Sequence, residues 1–219
     1  KIGVLGTNAL VGVGSTLTVL TFAHNTNLTH FAPGALAELD VLETLNFNAE
    51  PSITFAEGDL GGMAALQSVA VHTCAAIEVI PPRLFVGSTA LDTILLEMNW
   101  ALSDIASDAF EGCSSVRTLS LIELRELKEL RDGALHGLDG LTSLTISCTA
   151  GGLQTLTKTS LRPLVALESV SIDVAALVSL EAGVFSASEA LQQVRISGGV
   201  GLADLPVELF SGAASSISE

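Results

Sequence analysis

The chain has no tyrosine and a single tryptophan, and with eight phenylalanines its aromatic content is only 4% of 219 residues. That is too little for a compact domain organised around large core side chains, and it suits a thin core made of many small layers. Positive charge is as scarce, with nine Lys and Arg against 24 Asp and Glu and a net charge of -15. No Lys/Arg cluster is present, so phosphate backbones and anionic lipid surfaces would be repelled and nucleic acid is not expected as a partner. Long apolar runs are missing too. Leu10 to Val13 and Val174 to Leu180 fall well short of the roughly 20 residues a membrane helix requires, so no membrane span is expected in this segment. Disorder is nevertheless excluded, because 48% of residues are hydrophobic and the mean hydropathy is +0.57, ample for a buried core.

What is present is a period. The pattern apolar-x-x-apolar-x-apolar occurs at Leu17/Leu20/Phe22, Leu42/Leu45/Phe47, Leu66/Val69/Val71, Leu91/Ile94/Leu96, Val116/Leu119/Leu121, Leu141/Leu144/Ile146, Leu167/Val170/Ile172 and Leu191/Val194/Ile196, at spacings of 25, 24, 25, 25, 25, 26 and 24. A second apolar block follows in phase, as in Leu28/Phe31/Leu36/Leu39, Leu102/Ile105/Phe110/Cys113, Leu127/Leu130/Leu135/Leu138 and Leu153/Leu156/Leu161/Leu164. Only Ile53 to Met63 is irregular, with one residue fewer before Leu60. Self-similarity at such a period is the signature of a repeat architecture, in which each unit buries its apolar stripe only against its neighbours.

These units resemble the leucine-rich repeat family, whose unit reads LxxLxLxxNxLxxLPxxxFxxLxx, over almost the entire chain. Ile80-Pro81-Pro82-Arg83-Leu84-Phe85-Val86-Gly87 and Leu205-Pro206-Val207-Glu208-Leu209-Phe210-Ser211-Gly212 are similar to the animal extracellular form. The stretch from Ile105 through Val116 is similar to bacterial and protist surface proteins. The resemblance implies a strand-dominated solenoid, α/β by class convention, either horseshoe-shaped or flattened. A parallel sheet would line one face, with turns and short 3₁₀ pieces on the other. Residues 1–219 read as a single array, with strands starting near Leu17, Leu42, Leu66, Leu91, Val116, Leu141, Leu167 and Leu191, a partial unit at Ile217 and incomplete repeats at both ends. The charge alternation from Ile122 through Leu130 favours a helix by propensity, but its repeat phase places it in a strand followed by a turn.

The family carries an Asn nine residues into each unit, where the strand leaves the sheet and backbone groups need side-chain partners. Here that position holds Asn25, Glu50, Cys74, Asn99, Leu124, Thr149, Ala175 and Gly199. Asn, Cys and Thr can supply a hydrogen bond there. Leu124, Ala175 and Gly199 cannot, which predicts a broken ladder and a flatter or more irregular solenoid.

The residue types that carry chemistry do not assemble. Cys74, Cys113 and Cys148 fall in different repeats, and strands about 4.8 Å apart would set Cys74 and Cys148 about 14 Å from each other. They read as small buried residues, with an intermolecular bridge through Cys148 as the alternative. His24, His30, His72 and His136 show no metal-ligand spacing. There is no GxSxG elbow, and the Gly-rich starts at Gly12 and Gly198 lack the lysine and spacing of a phosphate loop. No acidic run has calcium-loop spacing. The reading is of a chain that is not an enzyme, with no catalytic residues, no cofactor and no metal.

The residues between the inward positions carry more information. The first outward column reads Val19, Thr44, Ser68, Thr93, Thr118, Ser143, Ser169, Gln193 and the second reads Thr21, Asn46, Ala70, Leu95, Ser120, Thr145, Ser171, Arg195. Six consecutive hydroxyls in one column, with Ser120, Thr145 and Ser171 beside them, form a ladder. One account is that Thr and Ser suit an exposed sheet and avoid like-charge clashes; the other is a ligand face or a row of O-glycan sites. Asn27-Leu28-Thr29 is the sole N-glycosylation sequon and marks Asn27 as a candidate site. Two function classes follow. The first is an extracellular or cell-surface recognition or adhesion module for a protein or glycan. The second is a structural protein that assembles with copies of itself into a fibre or sheath.

Overall fold

A computed structural model describes residues 3–211 of the chain, apart from residues 8 and 203. Its strands are β1 (Val4–Leu5), β2 (Val19–Ala23), β3 (His30–Phe31), β4 (Thr44–Asn48), β5 (Ser68–His72), β6 (Val79–Ile80) and β7 (Thr93–Glu97). They continue as β8 (Asp104–Ile105), β9 (Thr118–Ile122), β10 (Ser143–Cys148), β11 (Thr155–Leu156), β12 (Ser169–Val174), β13 (Ser179–Leu180) and β14 (Gln193–Ser197). The partial unit expected at Ile217 lies outside the described residues.

The eight longer strands make one parallel sheet in the order β2-β4-β5-β7-β9-β10-β12-β14. Register is set by the repeat. Leu45 pairs with Leu20 and Val69, Ile94 with Val69 and Leu119, and Val170 with Leu144 and Val194. Because side chains alternate across a strand, every second residue points inward, and Leu45, Phe47, Val69, Ile94, Leu96, Leu119 and Ile172 have no exposed surface. A slip of one residue would turn each inward set out to solvent, so the apolar code fixes the pairing. The result is a strand-dominated solenoid with, among the described residues, a single helical turn, α1 (Lys158–Leu161), started by Thr157, whose Oγ1 accepts from Ser160 N–H at 3.3 Å. No helix among the described residues is long and apolar enough to cross a membrane.

The opposite side carries the two-residue pairs β1-β3, β6-β8 and β11-β13. Where short 3₁₀ pieces were expected, the described residues hold only separate turns, closed by bonds such as Val86 N–H to Arg83 O at 3.2 Å and Leu138 N–H to Leu135 O at 3.3 Å. In several coils left-handed residues cut the run short: Arg83 (φ 55°) and Gly87 (φ 85°) bracket one turn, and Asp108 (φ 61°) and Gly112 (φ 84°) bracket the next. The turn at Gly137 also admits no side chain, since a Cβ there would lie 2.1 Å from Phe110 O.

The irregular third coil has a packing consequence. By spacing, Ala56 occupies the place of Phe31 and Ile80, so Phe55 fills the core instead, with its ring centroid 5.1 Å from Phe47 and 6.4 Å from Phe31. With Phe22 stacked on Phe47 at 5.4 Å, half of the phenylalanines gather in the first coils. The remaining layers are filled mainly by Leu, Ile and Val.

Candidate functional site: the sheet face and its rim

Where each strand leaves the sheet, one residue adopts a left-handed backbone in five successive coils: His24, Ala49, Thr73, Met98 and Glu123, with φ between 54° and 58°. The first four donate their N–H to the last strand residue of the next coil, as in Thr73 to Glu97 O at 3.0 Å and Met98 to Ile122 O at 2.8 Å, and Glu123 donates to Ser147 O, one residue before the end of β10. The pattern ends after Glu123, and β10 and β12 run one residue longer, to Cys148 and Val174.

The Asn column sits immediately behind these turns. Asn99 serves as the resemblance implies: its Oδ1 accepts from Cys74 N–H and its Nδ2 donates to Val71 O, both at 2.9 Å. Glu50, wholly buried, does the equivalent for the first coil, accepting from Asn25 N–H on Oε1. Asn25 is therefore a donor to that carboxylate through Nδ2 as well. Cys74 Sγ donates to His72 O at 3.4 Å. At Thr149 the backbone N–H is tied, and Glu123 Oε1 accepts it at 2.8 Å. Hydrogen bonding from Thr149 holds the Glu123 carboxyl below the usual carboxylate range. Leu124 is simply core, so the ladder is interrupted where the sequence indicated and partly rebuilt by two carboxylates that the sequence reading did not assign.

The structure places the hydroxyl candidates in line. Thr44, Ser68, Thr93, Thr118, Ser143 and Ser169 are direct cross-strand partners along the sheet, and Ser120, Thr145 and Ser171 form the adjoining row. All nine are half-buried. Thr93 Oγ1 donates to Asp92 at 2.9 Å and Ser169 Oγ to Gln193 at 3.4 Å. Among the described residues Thr118, Ser120, Ser143, Thr145 and Ser171 have no side-chain partner, which leaves a block of free hydroxyls over β9, β10 and β12. Toward the strand ends His72 Nδ1 meets Glu97 Oε2 at 3.2 Å.

At the rim of this face stand residues that the sequence reading passed over. Trp100 is 45% exposed and Met98 42% exposed, and the Arg125 guanidinium lies 5.4 Å from the Trp100 ring centre. Trp100 and Arg125 occupy the same place in adjacent coils, one residue past the Asn column. Their 25-residue separation is the one signal that could have paired them.

The remaining candidates stay apart. Asn27 is half-buried in a turn, with Thr26 Oγ1 3.5 Å from its side-chain oxygen, while the sequon's Thr29 hydroxyl donates to Gly3 O at 2.7 Å. Thr29 Oγ1 is also 2.9 Å from His30 Nδ1, but with its proton on Gly3 it is not aimed at the imidazole as a nucleophile's would be. Cys74, Cys113 and Cys148 are buried free thiols. Burial pushes Cys74 up to about 11 and Cys113 up to about 12. On the turn side, His136 Nδ1 lies 2.5 Å from Asp108 Oδ1, a hydrogen bond that raises the imidazole's pKa, and it borders a groove of about 320 Å³ shared with Asp132, Asp139 and Arg162. Among the described residues no three His, Cys, Asp or Glu are grouped to hold a metal ion.

No family model matches the chain, and no curated protein matches it in sequence. Solved structures do match in fold. The Toll–Spatzle complex of Drosophila superposes with a TM-score of 0.66 at 19% identity, covering 79% of this chain and 24% of that one. Its glycosylated form gives 0.70 at 16% identity over 84% of this chain and 24% of that one. The TLR13–ssRNA13 complex gives 0.52 at 14% identity, covering 88% and 38%. The chain thus spans about a quarter of the length of the Toll chain it matches, and what it shares with these proteins is the leucine-rich repeat solenoid fold.

Proposed function

We propose that the chain, as one array over residues 1–219, is a non-enzymatic recognition module that binds a protein ligand on the open face of its eight-stranded sheet, at an extracellular or cell-surface location. The observation that carries this reading is the block of unpartnered hydroxyls at Thr118, Ser120, Ser143, Thr145 and Ser171, set in fixed register on a rigid sheet. Hydroxyls held in place without internal partners donate and accept toward a ligand with little ordering cost. Two of the similar folds are described as complexes, one with Spatzle and one with a single-stranded RNA. The net charge of -15 favours a polypeptide over a nucleic acid for this chain. A glycan on the Asn27-Leu28-Thr29 sequon would support the location, and the hydroxyl column Thr44, Ser68, Thr93, Thr118, Ser143 and Ser169 offers the alternative O-glycan sites.

The test is a face variant, Ser143→Arg with Thr145→Arg, compared with the parent chain against partners selected from a displayed peptide library. The expected result is an unchanged Tm and loss of binding. Selected partners that bind parent and variant equally would show that the face is not the site. Mass spectrometry of native material should find a glycan at Asn27, and unmodified Asn27 together with unmodified Ser/Thr columns would remove the support for an extracellular location.

A further inference from the structure

We infer that the rim formed by Met98, Trp100 and Arg125, with Leu95 and Ile122 on the adjoining face, is the anchor for a basic polypeptide that lays a lysine or arginine side chain on the open face of the Trp100 indole. This rests on the sheet-face reading and names the partner class and the contact point. The five residues form one oblique track. Leu95 faces out from β7, paired with Ala70 and Ser120, and Ile122 faces out two residues beyond Ser120 on β9. Met98 reaches the same place through its backbone bond to Ile122 O at 2.8 Å, and Trp100 stands two residues further, on the rim. Elsewhere the outward columns are dominated by hydroxyl and other polar residues, so this is where the surface carries the Trp, Met and Arg that dominate interface energetics.

The indole is half-dressed. Arg125 covers one face, and it is itself held by Glu123, whose Oε2 lies 3.5 Å from its Nε. In the coil on the other side, the equivalent place holds Ala75, and a single methyl is too short to cover a ring. An aromatic face with negative potential attracts a cation, and the chain that carries it has a net charge of -15. An acidic partner would be repelled; a basic one is steered in.

The experiment selects a random-sequence peptide phage library on the intact chain, with a glycan array run in parallel. The expected result is enrichment of peptides that combine Lys or Arg with an aliphatic residue. Trp100→Ala should weaken them about tenfold or more, Trp100→Phe should retain most of the affinity, and binding should fall as salt rises from about 50 mM to about 500 mM. The exposed position of Trp100 leaves Tm unchanged, which circular dichroism checks. An empty selection, acidic or uncharged winners, or affinity for Trp100→Ala within about twofold of the parent overturns the inference, as does Trp100-dependent binding confined to glycans. Peptides that lose affinity to the Ser143→Arg, Thr145→Arg variant but not to Trp100→Ala would sink the rim anchor and keep the sheet-face reading. Peptides indifferent to both would sink both.

Discussion

Glu50 Oε1 accepts from the backbone N–H and from Nδ2 of Asn25, each at 2.9 Å, while its Oε2 is buried without a partner. One carboxylate oxygen thus closes the first turn and the other is left over. Asn99 does the same work with nothing left over, because its amide donates to Val71 O. By column, an Asn at position 50 would donate to Phe22 O. Glu50→Asn should therefore match or exceed the parent in stability, whereas Glu50→Ala should cost about 1–3 kcal/mol by leaving the Asn25 N–H unmet. Urea unfolding measures both, and an alanine variant as stable as the parent would show that the bond contributes nothing.

Thr73 holds φ at 57°, a conformation costly for a β-branched residue. Its N–H bond to Glu97 O is made by the backbone and survives any side chain but proline. Thr73→Gly should stabilise the chain by about 0.5–1 kcal/mol, the relief of strain outweighing glycine's extra freedom in the unfolded state. Thr73→Val should give no gain. Thermal unfolding of the two variants distinguishes them, and a lower Tm for the glycine variant would refute the argument.

The hydrogen bond to Asp108 raises the His136 pKa above its ordinary 6.5. A raised folded value means stability that is fully present below the unfolded pKa and is lost as pH rises through the folded one. The parent should thus unfold at a higher temperature than Asp108→Asn at about pH 5, with the gap closed by about pH 8. The same variant should bring the His136 titration, followed by NMR, down toward 6.5. An unchanged titration would mean that the pair does not form in solution.

Cys74, Cys113 and Cys148 should be silent to a thiol reagent at about pH 8 in the native chain and all reactive in denaturant, because burial raises each thiol above its ordinary value. Cys148, with its Sγ bonded to Ala150 O at 3.3 Å, tests the expectation of an intermolecular bridge most directly. Native-state labelling or a dimer lost on reduction would show it accessible after all.

The strand register was legible because each core column is apolar throughout: eight aliphatic side chains in each of the first two columns, and six with two phenylalanines in the third, cannot pair otherwise without exposing themselves. The left-handed column was not, since His24, Ala49, Thr73, Met98 and Glu123 share no chemistry and their common φ arises from the turn, not from propensity. The role of Glu50 was hidden for a related reason. A carboxylate in a place reserved for an amide reads as a break until its oxygen is seen on Asn25. The rim was missed because Trp100 occurs once, and a column search finds what repeats. Among the described residues the turns that replace 3₁₀ runs are cut short in several coils by paired left-handed residues, of which only the glycines announce themselves.

The zero-slip pairing of the sheet separates two messages written in one strand. Inward letters are fixed by packing and outward letters are read only by whatever approaches the face, so an outward substitution leaves the fold's instructions untouched. Each strand can then be rewritten for a new partner one square at a time. The lone Trp100 beside a wall of threonines and serines is what such a local rewriting looks like.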